Sequence, residues 1–131
     1  MQYMMMIFLD ENSLTEEQRE QCYRDSAAFA RDLAAQGKCA MAQPLYPTST
    51  ATSVRFQSGK RVVTDGPFAE TREQLGGFFL VDAADLDEAI EIAGKIPAGR
   101  WGTVEIRPLL AVPGLPQNSS RDVDSGAARS I

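Results

Sequence analysis

The chain has 131 residues, 44% of them hydrophobic, with 18 acidic and 13 basic side chains and a net charge of −5. That length supports one core and one domain, and the acidic balance opposes a general nucleic-acid or anionic-membrane role, which needs a basic face. Two cysteines, Cys22 and Cys39, are too few for a disulfide scaffold and, in a chain with no histidine, form no metal-ligating cluster, so they read as reduced thiols of a cytoplasmic protein.

The apolar run Tyr3–Leu9 reads as a strand buried on both faces. The apolar run Met4–Leu9 within it is too short to span a membrane, has no basic region before it and is followed by Asp10-Glu11-Asn12, so it is expected to be neither signal peptide nor membrane span. Ser13 with Glu16, or Thr15 with Gln18, offers a cap for a helix that runs to about Gln36 and ends at Gly37. Its apolar stripe is Cys22, Ser26, Phe29, Ala30 and Leu33. A strand over Ala40–Leu45 is followed by a hairpin, Thr52–Gln57 and Lys60–Thr64, closed at Ser58-Gly59.

Asp65-Gly66-Pro67 then forces a loop, because proline fixes φ and pushes the residue before it out of the helical region. Ala69–Leu75 tolerates a helical turn, which Gly76-Gly77 would break before the apolar strand Phe78–Asp82. Asp85-Leu86-Asp87-Glu88 opens a second helix with Leu86, Ala89, Ile90 and Ala93 on its apolar side, and Thr103–Pro108 is the last strand. This order is the split βαβ arrangement of an α+β, ferredoxin-like sandwich. From Pro113 to Ile131 the composition turns to proline, glycine and serine with no aromatic residue, too little apolar surface to offset ordering, so residues 1–112 are expected to form the domain and 113–131 a mobile tail.

Both helices of such a sandwich cover one face of the sheet, yet Met4, Met6 and Phe8 are as apolar as Tyr3, Met5 and Ile7. Phe78 with Leu80, and Phe79 with Val81, repeat the pattern. A second copy is the simplest cover for the other face, and a homodimer packed sheet to sheet is expected; a larger core under loops is the alternative.

Polar residues at positions where apolar ones would be expected are the candidates for chemistry. Alternation turns Thr103, Glu105 and Arg107 away from Val104 and Ile106, and Arg55 away from Val54 and Phe56, so Arg55, Glu105 and Arg107 are expected to line one cleft or else to form edge ion pairs worth at most about 1 kcal/mol. Ser26 lies on the apolar stripe of the first helix, where its hydroxyl either bonds to the preceding turn or faces a pocket between helix and sheet. A ligand pocket is expected to be walled by Ser26, Arg55, Asp65, Phe68 and Arg107. No heme or flavin is indicated, since there is no histidine to hold iron and no glycine-rich phosphate loop opening a helix, and no cofactor is expected.

The stretch Asp65-Gly66-Pro67-Phe68-Ala69-Glu70-Thr71-Arg72-Glu73-Gln74-Leu75-Gly76-Gly77-Phe78 resembles the signature of the YCII-related, DGPF-domain family. Gln43-Pro44-Leu45, Thr52–Phe56, Asp85–Ala93 and Val104–Pro108 are also similar, so the resemblance covers most of residues 2–108. It implies a dimeric α+β barrel. It also implies a histidine near Ser26 paired with an aspartate near Ile96-Pro97 as the acid/base couple of enzymatic members; this chain has neither there. A serine with no adjacent base is a poor proton donor or nucleophile at neutral pH.

Two functions are therefore expected in competition. One is a dimeric small-molecule-binding or regulatory-accessory module, since similar family members are often encoded beside extracytoplasmic-function sigma factors. The other is a small lyase or isomerase acting on an oxygenated ring or acid, with Asp65, Glu70 or Glu105 as base and Arg107 holding an anionic group.

Overall fold

The computed structural model describes residues 1–116. Six strands and two helices follow one another as β1 (Gln2–Leu9), α1 (Glu16–Ala35), β2 (Cys39–Pro44), β3 (Thr52–Gln57), β4 (Lys60–Asp65), β5 (Gln74–Asp82), α2 (Leu86–Lys95) and β6 (Gly102–Pro108), with short 3-10 turns at Thr48–Thr50 and Pro97–Trp101. Four strands form an antiparallel sheet in the order β2-β5-β1-β6, and β3 and β4 form a separate ribbon inserted between β2 and β5. This is the expected α+β, ferredoxin-like split βαβ arrangement. Among the described residues no helix is long and apolar enough to cross a membrane.

Local chemistry explains the element ends. Thr15, rather than Ser13, caps α1: its hydroxyl accepts from the Gln18 amide while the Gln18 side chain accepts from the Thr15 amide. At the other end Lys38 donates to the Leu33 carbonyl and Gly37 to the Ala34 carbonyl, with Gly37 at φ +74, a closure that suits glycine. Asp85 caps α2 by accepting from the Glu88 amide at 2.9 Å. The ribbon turns at Ser58 and Gly59, both at positive φ, as expected for a two-residue hairpin.

The core lies between one sheet face and the helices. Tyr3, Met5, Ile7, Phe79 and Val81 point into it and meet Leu33 of α1 and Ala89, Ile92, Ala93 and Ile96 at α2. Burying side chains of the larger kind stabilises the fold by about 1.5–3 kcal/mol each. Phe29 tilts against Phe79 with ring centroids 6.0 Å apart.

Three expectations are corrected. Tyr3–Leu9 is buried on one face only within a single chain: Tyr3, Met5 and Ile7 are covered, while Met4, Met6 and Phe8 on the other face remain half-buried. The stripe of α2 is Ala89, Ile92 and Ala93, leaving Leu86 and Ile90 about half exposed, because the helix is rotated to face Ile96 and the core. The helical turn over Ala69–Leu75 does not form, and Gly76-Gly77 lies inside β5 rather than before it. There Gly76 is the extra residue of a bulge, since Ile7 pairs with Gly77 and Phe8 with Leu75. A Cβ on Gly77 would stand 2.9 Å from the Gln43 carbonyl oxygen, so glycine is what lets β2 approach β5. The expected tail begins at Pro113, and its residues 117–131 lie outside the described residues.

Candidate functional site

A cavity of about 260 Å³ opens between the middle of α1 and one end of the sheet. Its helix wall is Cys22, Tyr23, Ser26, Ala27 and Ala30, and its sheet wall is formed by Leu9, Phe79 and the stretch where Gly76-Gly77 meets Gln43-Pro44. The space has a local cause. The small side chains Ser26, Ala27 and Ala30 on α1 share the cavity wall with Gly76-Gly77 of β5 and Ala42 of β2, which leave space between the layers.

Among the described residues no charged side chain lines this cavity. Its polar side-chain groups are the Ser26 hydroxyl, the Cys22 thiol and the Tyr23 phenol; Gln43, paired with Phe78 on the other sheet face, lines it through its backbone. Burial pushes the Cys22 thiol above its usual range, and the Ser26 hydroxyl, one helical turn on, works in the opposite direction by hydrogen bonding to the sulfur. Arg100, 3.8 Å from Asp25, lies close enough to Cys22 to favour the thiolate weakly. Cys39 sits outside this cavity, with its thiol also raised by burial.

Of the residues expected to wall a pocket, Ser26 alone does so here. Arg55 and Asp65 are exposed on the ribbon, and Phe68, next to its root, is 83% exposed. Glu105 and Arg107 lie together on the outer strand β6, 3.4 Å apart and exposed, on the face opposite Val104 and Ile106 as alternation predicted. A single chain therefore does not bring Arg55 and Arg107 into one cleft. Glu70 is exposed in the loop after Pro67. Sequence reasoning missed Tyr23, Ala27, Ala30, Gln43 and Gly76 as cavity residues. The available signal was the run of small residues Ser26-Ala27-Ala28 at the centre of a long helix, read together with Gly76-Gly77.

The sheet face away from the helices is a second feature. Cross-strand partners share a face, so Met4, Met6 and Phe8 stand beside Leu80 and Phe78 of β5 and, farther out, Met41 of β2. Glu105, Arg107 and Thr103 edge this apolar area along β6.

Comparison with known proteins gives the family and the fold. A family model described as the YCII-related domain matches residues 1–112. An uncharacterized protein of Rhizobium meliloti (strain 1021) is 39% identical over 114 residues, which span 83% of this chain and 92% of that protein. Among solved structures, 5-chloro-2-hydroxyhydroquinone dehydrochlorinase from Burkholderia phenoliruptrix AC1100, in complex with 2,5-dihydroxybenzoquinone, is similar in fold, with a TM-score of 0.51 and 17% identity over 86% of this chain and 96% of that one.

Proposed function

Because the chain belongs to the YCII-related domain family, we propose that it is a small-molecule-binding module of a sensing or regulatory-accessory kind, working as a homodimer in the cytoplasm. One observation carries the reading: a cavity of about 260 Å³, mostly apolar, with three polar side-chain groups and no charged side chain among the described residues of its wall. Such a site suits a neutral single-ring molecule with one or two hydroxyl or carbonyl groups, which Ser26 and Tyr23 would orient while the apolar walls supply most of the binding free energy. An anionic ligand would lose its hydration there without gaining a cation, which disfavours it.

The homodimer is supported by the half-buried Met4, Met6, Phe8, Phe78 and Leu80 on the open sheet face. A contiguous apolar area of that kind on a small domain is covered in solution, and the same area of a second copy is self-complementary to it.

Turnover of the bound ring is the second reading, and it is favoured by the fold neighbour being named as a dehydrochlorinase and having been solved with a single-ring ligand. Asp65, Glu70 and Glu105 are exposed and outside the cavity wall, so none of them touches a molecule held beside Ser26. Binding without turnover is therefore the reading the geometry supports best. Thermal unfolding of the full chain with hydroquinone, catechol and resorcinol, all neutral at pH 7, tests it, because a ligand of the native state raises the melting temperature. The expected result is a rise for at least one ring, abolished in Ala30→Phe, with the ring recovered unchanged. No rise with any of them, or a rise that Ala30→Phe leaves intact, overturns the cavity as the site.

A further inference from the structure

The β3–β4 ribbon presents an apolar face that the described residues leave uncovered. Cross-strand pairing puts Val54, Val63 and Phe56 on one face, where they are 58%, 54% and 75% exposed. Among the described residues, neither strand makes substantial contact with any other helix or strand. An isolated two-stranded ribbon is marginally stable in water, so a ribbon with one apolar face needs a surface to lie against.

Its root, in contrast, is fixed. The Gly66 amide donates to the Ala51 carbonyl at 2.7 Å, and the Ser53 hydroxyl donates to the Gly66 carbonyl at 2.7 Å. Gly66 takes φ +95, which favours glycine, and Pro67 fixes the exit that follows. The Asp65-Gly66-Pro67-Phe68 stretch thus sets the direction in which the ribbon leaves the domain.

Charge indicates what covers it. The ribbon holds Arg55, Lys60 and Arg61 against one acid, Asp65, a net of +2, which leaves ten basic and seventeen acidic residues, net −7, on the rest of the chain. The acids of α1 include Glu16, Glu17 and Glu20, all exposed at its first turns. A basic arm with an apolar face, carried by an otherwise acidic domain, is complementary to another copy of that domain.

We propose that the β3–β4 ribbon is an arm that docks on a second copy of the chain, with Val54, Phe56 and Val63 against the copy, Arg61 beside them on the same face toward its acidic surface, and Arg55 and Lys60 on the opposite face adding to the positive charge of the arm. The Asp65-Gly66-Pro67-Phe68 turn is then the pivot that aims the arm, an assembly element rather than part of the cavity. Two-fold symmetry makes the contact reciprocal, each copy giving one arm and receiving one. The inference rests on the homodimer proposed above and is independent of its ligand.

The test places the photo-cross-linker p-benzoylphenylalanine at position 56 of the full chain and irradiates an equal mixture of ordinary and ¹⁵N-labelled protein. Cross-linked peptides that join the two isotopes, together with a dimer dissociation constant raised about tenfold or more by Phe56→Asp, are the expected result. Circular dichroism of Phe56→Asp checks that the domain still folds, as it should with the substitution outside the core. A particle of twice the chain mass that gives only same-isotope cross-links, or none, sinks the arm and leaves the sheet-face dimer standing. A monomer at micromolar concentration sinks both.

Discussion

Glu11 accepts hydrogen bonds from both the backbone amide and the hydroxyl of Thr48, at 2.8 and 2.7 Å, and so ties the end of β1 to the turn that leads into the ribbon. The Gln74 side chain accepts from the Glu11 amide at 3.0 Å, joining the start of β5 to the same point. Both ends of the inserted segment are thereby held at one place. Glu11→Ala removes two bonds to a charged acceptor and is expected to lower stability by about 1.5–3 kcal/mol. Amide hydrogen exchange should accelerate across Thr52–Asp65 while the β1 and β5 amides stay protected; uniform acceleration would show that Glu11 does not act locally.

Gly77→Ala places a Cβ 2.9 Å from the Gln43 carbonyl oxygen and 3.1 Å from the Pro44 Cα, both of them backbone. Strand β2 must shift to admit it, so a loss of about 1–3 kcal/mol in urea unfolding is expected, in the range of other overpacking changes. Because Gln43 and Pro44 also line the cavity, ring binding should weaken in parallel.

The Cys22 thiol, raised by burial, is expected to react with iodoacetamide at neutral pH more slowly than a free thiol. Ser26→Ala removes the hydrogen bond that favours the thiolate and should slow the reaction further. A ring bound in the cavity should protect Cys22 and leave Cys39, outside it, unaffected. Mass spectrometry of the alkylated peptides reads all three effects, and faster labelling in Ser26→Ala would contradict the assigned hydrogen bond.

Glu88 accepts from the Ala84 amide at 2.6 Å and from Lys38 Nζ at 2.9 Å, and these hold its carboxyl below the ordinary carboxylate value of 4.5, the backbone bond foremost. A pKa depressed by folding contributes stability that is complete above the unfolded value and is lost as pH falls through the folded one. The melting temperature should therefore drop more steeply on acidification below pH 4.5 in the native chain than in Glu88→Gln. Equal slopes would remove Glu88 from the acid transition.

Sedimentation equilibrium of the full chain is expected to give twice the 14.3 kDa chain mass. Met6→Asp, which puts a charge at the centre of the open sheet face, should yield a folded monomer. A dimer that tolerates Met6→Asp would place the contact elsewhere.

The elements were legible because their signals are local. Thr15 and Gln18, Gly37, Ser58-Gly59 and Asp85 each settle a chain direction through bonds to residues at most a few positions away, and the order of the elements then leaves the split βαβ sandwich as the compact solution. The Asp65–Phe78 signature and the similar stretches around it identified the family for the same reason, as contiguous text. The rotation of α2 onto Ala89, Ile92 and Ala93 was decided by the tertiary structure, since Leu86 and Ile90 fit a helical stripe equally well until the core takes its shape. The inclusion of Gly76-Gly77 in β5 was decided the same way, by the close approach of Gln43, a residue more than thirty positions earlier in the chain. The cavity depends on both kinds of information: Ser26 announced itself as a polar residue on an apolar stripe, but empty space is the difference between two packed layers, and only their meeting shows that Ala30 on one and Gly76 on the other leave it unfilled.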